Sequence, residues 1–224
     1  MIESGQVDVA LVPVIEYQRI GDISLVPDVC VGSRERVRSV VLVAKVDSLS
    51  HMRRVALDHS SRTSAALLRI IFREFIGFEP EWTVGSTDIG QMLAHNDAAL
   101  IIGDPAMTFA RENLRVFDMA ELWRSRTGLG FVFAMWVVRN SAAPAAARID
   151  FAGARDEGLA RMEQIVECYK ALLNLSAEEL RVYLEENISF SVDDEMHAGL
   201  DLYFKLAHKH GIIPALKPLK TIEG

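Results

Sequence analysis

The sequence predicts an α/β fold, with parallel and mixed sheets flanked by helices, on three observations. Half of the 224 residues are apolar, ample for a large core. From Arg54 onward, β-branched runs alternate with segments of helical period, as in a parallel sheet covered by helices. Strand patterns also crowd the earlier part of the chain, and helical patterns fill its end.

Taken in order, "GQVDVALVP" has the unbroken apolar character of a buried parallel strand. "ISLVPDVCVGS" is a second extended stretch, and "RVRSVVLVAKV" is a third, long and rich in valine. Next come "RRVALD", a helix over 62–76, "EWTVGS", a helix over 88–95 and "DAALIIGD". In the first of these helices Leu68, Ile71, Phe72 and Phe75 share one face, and Gly77 is placed to end it. "GFVFAMWVVR" is a further strand, in which Phe131, Phe133 and Trp136 are expected to pack in the core. The Ala/Pro stretch "NSAAPAAA" then reads as a connection. Helices are predicted over 156–173, over 177–186 behind the capping box Ser176-x-x-Glu179, and over 192–210 before Gly211 and Pro214.

Composition narrows the function. With 24 Lys and Arg against 31 Asp and Glu, the formal charge is −7, and no block of like charge offers a nucleic-acid surface. An anionic ligand must therefore be held by local groups. Cys30 and Cys168 lie far apart in apolar company, which predicts buried free thiols in a reducing compartment. The opening "MIESGQVDVALVPVIEYQ" has acidic residues before its apolar run and Pro13 within it, unlike a secretory signal, and no run of about 18 apolar residues occurs. A soluble cytoplasmic protein, with no membrane partner, is expected.

The segment "VALDHSSRTSAALL" is the principal candidate site. Five polar residues, Ser60 to Ser64, stand between a strand and a helix, at the carboxyl end where open parallel sheets bind ligands. One Ser would suffice as an N-cap, at about 1 kcal/mol. Arg62 in the first turn opposes the helix dipole unless an anion sits nearby, and Thr63 and Ser64 stand where a capping box would need Glu or Gln. The pattern points to an anion site, where these hydroxyls and the backbone amides of the helix N-terminus can converge on a carboxylate. Gly103-Asp104-Pro105 is a second candidate at a strand end; Asp104 also reads as an ordinary N-cap before a first-turn proline. Thr127, Gly128 and Gly130 lack the third glycine of a dinucleotide fingerprint and read as a mobile cleft-edge loop. The histidines share no metal-ligand spacing, and only His59 adjoins the serine cluster. The G-x-S-x-G elbow of a hydrolase is absent.

In order, "VDVALVPVIEY", "LVPDVCV", "VRSVVLVAK", "VALDHSSRTSAALL", "DAALIIGDPA", "DMAELWRSRTGLGFVFAMW" and "GLDLYFKLAHKHGII" resemble the chorismate dehydratases of the futalosine route to menaquinone. That resemblance implies a two-lobed fold similar to the type 2 periplasmic binding proteins, with the ligand between the lobes. It assigns 1–45 to the first part of lobe one, 46–130 to lobe two, and 131–224 to the return crossing and C-terminal helices of lobe one. It implies a small dicarboxylate substrate, chorismate, losing water to give 3-[(1-carboxyvinyl)oxy]benzoate without metal or organic cofactor, in a monomer or homodimer. A carboxylate of the substrate is the implied proton acceptor. Ser61, Arg62 and Thr63 are then the expected catalytic residues, and Ser60, Ser64, Gly103 and Asp104 contact substrate. The family's first strand carries a Tyr-Leu-Asn motif whose Asn belongs to the active site; this sequence opens downstream of it, so lobe one reads as N-terminally truncated. Gly130 replaces the proline of the family's Gly-Leu-Pro-Phe and is expected to loosen that loop. Two other functions fit the resemblance: the dihydroxynaphthoate-forming enzyme of the same route, which needs a cleft histidine, and a non-catalytic carboxylate-binding protein.

Overall fold

A computed structural model describes residues 1–58, 61–85 and 88–222. Its strands form two sheets. β1 (Val9–Pro13), β8 (Phe131–Arg139) and β2 (Ile23–Ser33) make a three-stranded sheet in the order β1-β8-β2. β3 (Val40–Ala44), β4 (Arg54–Asp58), β5 (Glu81–Gly85), β6 (Ala98–Ile102) and β7 (Arg115–Asp118) make a five-stranded sheet in the order β5-β4-β6-β3-β7.

The alternating segment behaves as its pattern demands. β4 is parallel to both β5 and β6, while β3 and β7 join antiparallel, so the sheet is mixed. β3 pairs on both sides within the five-stranded sheet, which therefore extends upstream of residue 46. β1 departs from expectation: it is antiparallel to β8 and only partly buried, because β8 returns beside it. Pro27 has no N–H to donate, and the β2–β8 register shifts between Leu25 and Cys30 around it.

Helix α1 (Arg62–Ile70) continues as a π-helical turn, Ile71–Ile76, that ends on Gly77 at φ +85°. Leu68, Ile71 and Phe72 are fully buried along it, as their spacing predicts. α2 (Ile89–Ala94), α3 (Asp104–Thr108) and α4 (Met119–Thr127) complete the segment. After α5 (Ala143–Ala146), the expected helix over 156–173 starts earlier and divides into α6 (Phe151–Ala160) and α7 (Met162–Leu173). α8 (Ala177–Val182) carries the predicted capping box and runs into a π-helical turn, Tyr183–Asn187; α9 (Asp194–Lys209) closes the series.

One core cluster spans both sheets, with Ile15, Leu42, Leu68, Phe131 and Tyr203 among its members. Trp123–Phe131, Phe131–Tyr203 and Trp123–Tyr203 pack edge to face at centroid separations of 5.5, 5.1 and 6.5 Å. Trp136 is not part of that face. Being an odd number of residues from Phe131 and Phe133, it lies on the other side of β8 and packs on Phe151. Cys30 is buried and free, but Cys168 is exposed, two residues past the buried Val166 and so on the far side of α7.

The chain crosses between the sheets twice, and Ser33 of β2 pairs with Phe131 of β8 where it does so. The Asp118 carboxylate, 3% exposed, accepts the Val37 and Arg38 N–H groups at 3.1 and 2.7 Å and also caps α4 through Ala120 and Glu121. The Gly128–Gly130 turn is held rather than loose. Gly128 ends α4 at φ +73°, the Gly130 carbonyl accepts Trp123 Nε1–H at 3.1 Å, and a Cβ at Gly130 would lie 2.8 Å from Met196 Cγ. α9 packs so closely there that a side chain at Gly199 would run into the Gly130 carbonyl oxygen.

Candidate functional site

β4 ends at Asp58, whose carbonyl accepts the Ser61 N–H at 3.1 Å and turns the chain into α1. Ser61 occupies the N-cap position, yet its side chain does not cap the helix. Its Oγ is buried, in a residue 4% exposed, and has no hydrogen-bond partner among the described residues. Leaving a buried hydroxyl unpaired costs about 1–3 kcal/mol, so this atom is equipped to meet a ligand.

Arg62 has an anion beside it, but one belonging to the chain. Its Nη1 donates to Glu16 Oε2 at 2.7 Å, and Arg19 Nη1 donates to Glu16 Oε1 at 2.8 Å. Glu16 lies in the 3-10 turn Val14–Gln18 after β1, so this pair ties α1 to the three-stranded sheet. The cation that opposes the dipole of α1 is thus neutralised internally, while the Arg62 side chain stays 60% exposed. Thr63 is built into the same joint: Oγ1 accepts the Ile15 N–H at 3.3 Å, and its carbonyl accepts Tyr203 O–H at 3.1 Å. Burial pushes the Tyr203 phenol far above its ordinary range and keeps that donor protonated. Ser64 is buried beside them at 4%. Ser60 and His59 lie outside the described residues.

Gly103 and Asp104 follow β6, the parallel neighbour of β4, so both candidates share one edge of the five-stranded sheet. Gly103, at φ +71° and ψ −149°, is itself the N-cap; its conformation is open essentially to glycine alone. Asp104 is therefore inside the first turn rather than capping it, and it is exposed. The Gly103 N–H donates to Ser39 O at 2.8 Å, and Tyr183 O–H donates to Ser39 Oγ at 3.0 Å. Burial, reinforced by the Asp104 charge, raises the Tyr183 phenol pKa.

Arg19, Asp58, Ser61, Arg62 and Arg69 line an open cavity of about 280 Å³ beside α1. A larger cavity, about 400 Å³, lies between the three-stranded sheet and α6–α7, lined by Leu11, Trp136, Phe151 and Met162. It is almost wholly apolar, and a dicarboxylate needs convergent polar groups. Among the described residues no three His, Cys, Asp or Glu side chains group as metal ligands, and no helix is long and apolar enough to cross a membrane.

The sequence reading missed Glu16, although it is the one charged residue in the run Val9–Gln18. Ser33 was missed too; its hydroxyl is buried at the crossing and unpartnered among the described residues.

A family model described as menaquinone biosynthesis matches residues 1–209. The chain belongs to that family. A chorismate dehydratase of Thermus thermophilus is 31% identical over 222 residues, covering 91% of this family member and 80% of the Thermus protein. Among solved structures, the alkanesulfonate-binding protein of Xanthomonas axonopodis matches with a TM-score of 0.65 at 13% identity, covering 96% of this chain and 79% of that one. The periplasmic aliphatic sulphonate binding protein of Escherichia coli matches with a TM-score of 0.61 at 16% identity, covering 100% and 79%. These two likenesses establish a periplasmic-binding-protein-like fold for this member of the family.

Proposed function

We propose that this family member is a chorismate dehydratase, a carbon–oxygen lyase that forms 3-[(1-carboxyvinyl)oxy]benzoate and water. The observation that carries the reading is the buried Ser61 hydroxyl, unpartnered among the described residues and on the same cavity as Arg62, in a chain that belongs to the menaquinone-biosynthesis family.

The hydrogen on the ring carbon bearing the enolpyruvyl ether leaves as a proton, and its electron pair passes through the ring double bond towards the ring carboxylate. The bond from the neighbouring ring carbon to its hydroxyl oxygen then breaks, the new ring double bond forms, and hydroxide leaves to become water. Aromatisation makes the sequence favourable. Negative charge builds on the ring carboxylate as the proton departs, so donors fixed around it stabilise the transition state more than the ground state. Ser61 and Arg62 supply that stabilisation. Thr63 accepts one bond and keeps its own hydroxyl hydrogen to donate, and Ser60 and Ser64 act as helper donors. Gly103 and Asp104 contact the substrate from the neighbouring strand end, and the second carboxylate of the substrate takes the proton. The lobe of the three-stranded sheet and the lobe of the five-stranded sheet, which takes in β3 as well as 46–130, close on the ligand from both sides, in a monomer or homodimer of the cytoplasm.

The test is incubation of the 224-residue protein with chorismate, without added metal or nucleotide, followed by mass spectrometry. The expected product is lighter than chorismate by one water. Unchanged chorismate, together with tight binding of a different acid, would instead make this a carboxylate-binding protein.

A further inference from the structure

Glu16 is an unusual residue for its position. The turn Val14–Gln18 is buried throughout, and Glu16 is 7% exposed within it. A buried carboxylate is tolerated only when paired, and this one is paired twice, to Arg19 and Arg62. Both arginines reach outward from it, 39% and 60% exposed, and both line the cavity that Ser61 lines. The trio carries a net charge of about +1, with the negative charge inside and the two positive charges facing the cavity. A guanidinium has five N–H donors in one plane. One N–H of Arg62 held by Glu16 fixes that plane and leaves the outward edge for a ligand carboxylate.

We propose that Glu16 is the positioning residue of this site: it holds Arg62 in the orientation that receives the substrate carboxylate, and its charge restrains the affinity for the dianion. The inference rests on the dehydratase reading for the substrate's identity and its two carboxylates; the cavity's own groups support the coarser class, an anionic ligand. Glu16 acts through Arg62 and touches no reacting atom. Removing its charge without its shape therefore has two opposed effects. The cavity becomes more attractive to a dianion, while the bond that restrains the guanidinium weakens from charge-assisted to neutral.

The decisive comparison is Glu16→Gln against the unaltered chain, with chorismate turnover and calorimetric binding of isophthalate, a planar aryl dicarboxylate, as readouts. KM for chorismate is expected to fall about fivefold, and isophthalate to bind tighter by a similar factor. The kcat is expected to fall about tenfold, as a misplaced binding group predicts. A residue that merely supports the fold would raise KM, or lower the active fraction at constant KM, and either result overturns the proposal. If Glu16→Gln does not fold, Glu16→Asp keeps the charge but withdraws it from Arg62: kcat should fall while isophthalate affinity is unchanged, and an unaltered kcat overturns the proposal. If the unaltered chain binds isophthalate but leaves chorismate intact, the dehydratase reading fails while isophthalate affinity still decides the role of Glu16. Binding of isophthalate by neither form also overturns it.

Discussion

In the five-stranded sheet every residue of β3 is buried and β6 exposes only Ile102 in part, whereas in the three-stranded sheet β1 is half open and Leu11 is 43% exposed. The helical cover differs in the same sense. α1 buries six of its nine residues between the sheets, while α6 buries none and leaves the 400 Å³ apolar cavity beneath it. Local stability follows buried apolar contact, so the α6–α7 layer is the region to open first, and α1 with the interior strands beside it is the rigid part. A binding edge gains from that division, because its donors have to hold their positions during the reaction.

The sharpest way to break the comparison is Leu42→Ala. Leu42 is fully buried in β3, and its loss should cost about 2–5 kcal/mol in urea unfolding, whereas Leu159→Ala, in a residue 40% exposed on α6, should stay within about 0.5 kcal/mol. Equal losses would show that the two layers are equally well packed. A smaller effect of opposite sign is expected from Gly158→Ala. A Cβ there meets nothing within 4 Å, so the change should stabilise α6 by about 1 kcal/mol and slow its amide exchange. The mildest probe is thiol reactivity at neutral pH. Exposed Cys168 should react with a disulfide reagent at once; Cys30, 3% exposed, with burial pushing its thiol pKa up to about 12, should react only as the layer above it opens. Immediate reaction of both would show that layer to be open already.

Local signals were legible wherever structure is decided within a few residues. The face of α1, its stop at Gly77 and the capping box at Ser176 all depend on neighbours in sequence. So did the placing of Ser61 and Arg62 at a strand's carboxyl end. What escaped was decided by contacts distant in sequence. Arg62 asked for an anion, but that Glu16 supplies it, 46 residues away, depends on how the two sheets meet. The grip on Gly130 comes likewise from Met196 and Trp123, which no local rule about glycine anticipates. The N-cap at Gly103 rather than Asp104 turned on a single backbone dihedral.

Because Ser33 and Phe131 are paired neighbours, the chain leaves the three-stranded sheet and re-enters it at almost the same point. The five-stranded unit is thus an excursion from one doorway, locked back onto the three-stranded unit by the bonds of Thr63 to Ile15 and Tyr203 and by the Glu16–Arg62 pair. Asp118 grips one jamb through the Val37 and Arg38 N–H groups, so only residues 34–36 lie between that grip and the end of β2.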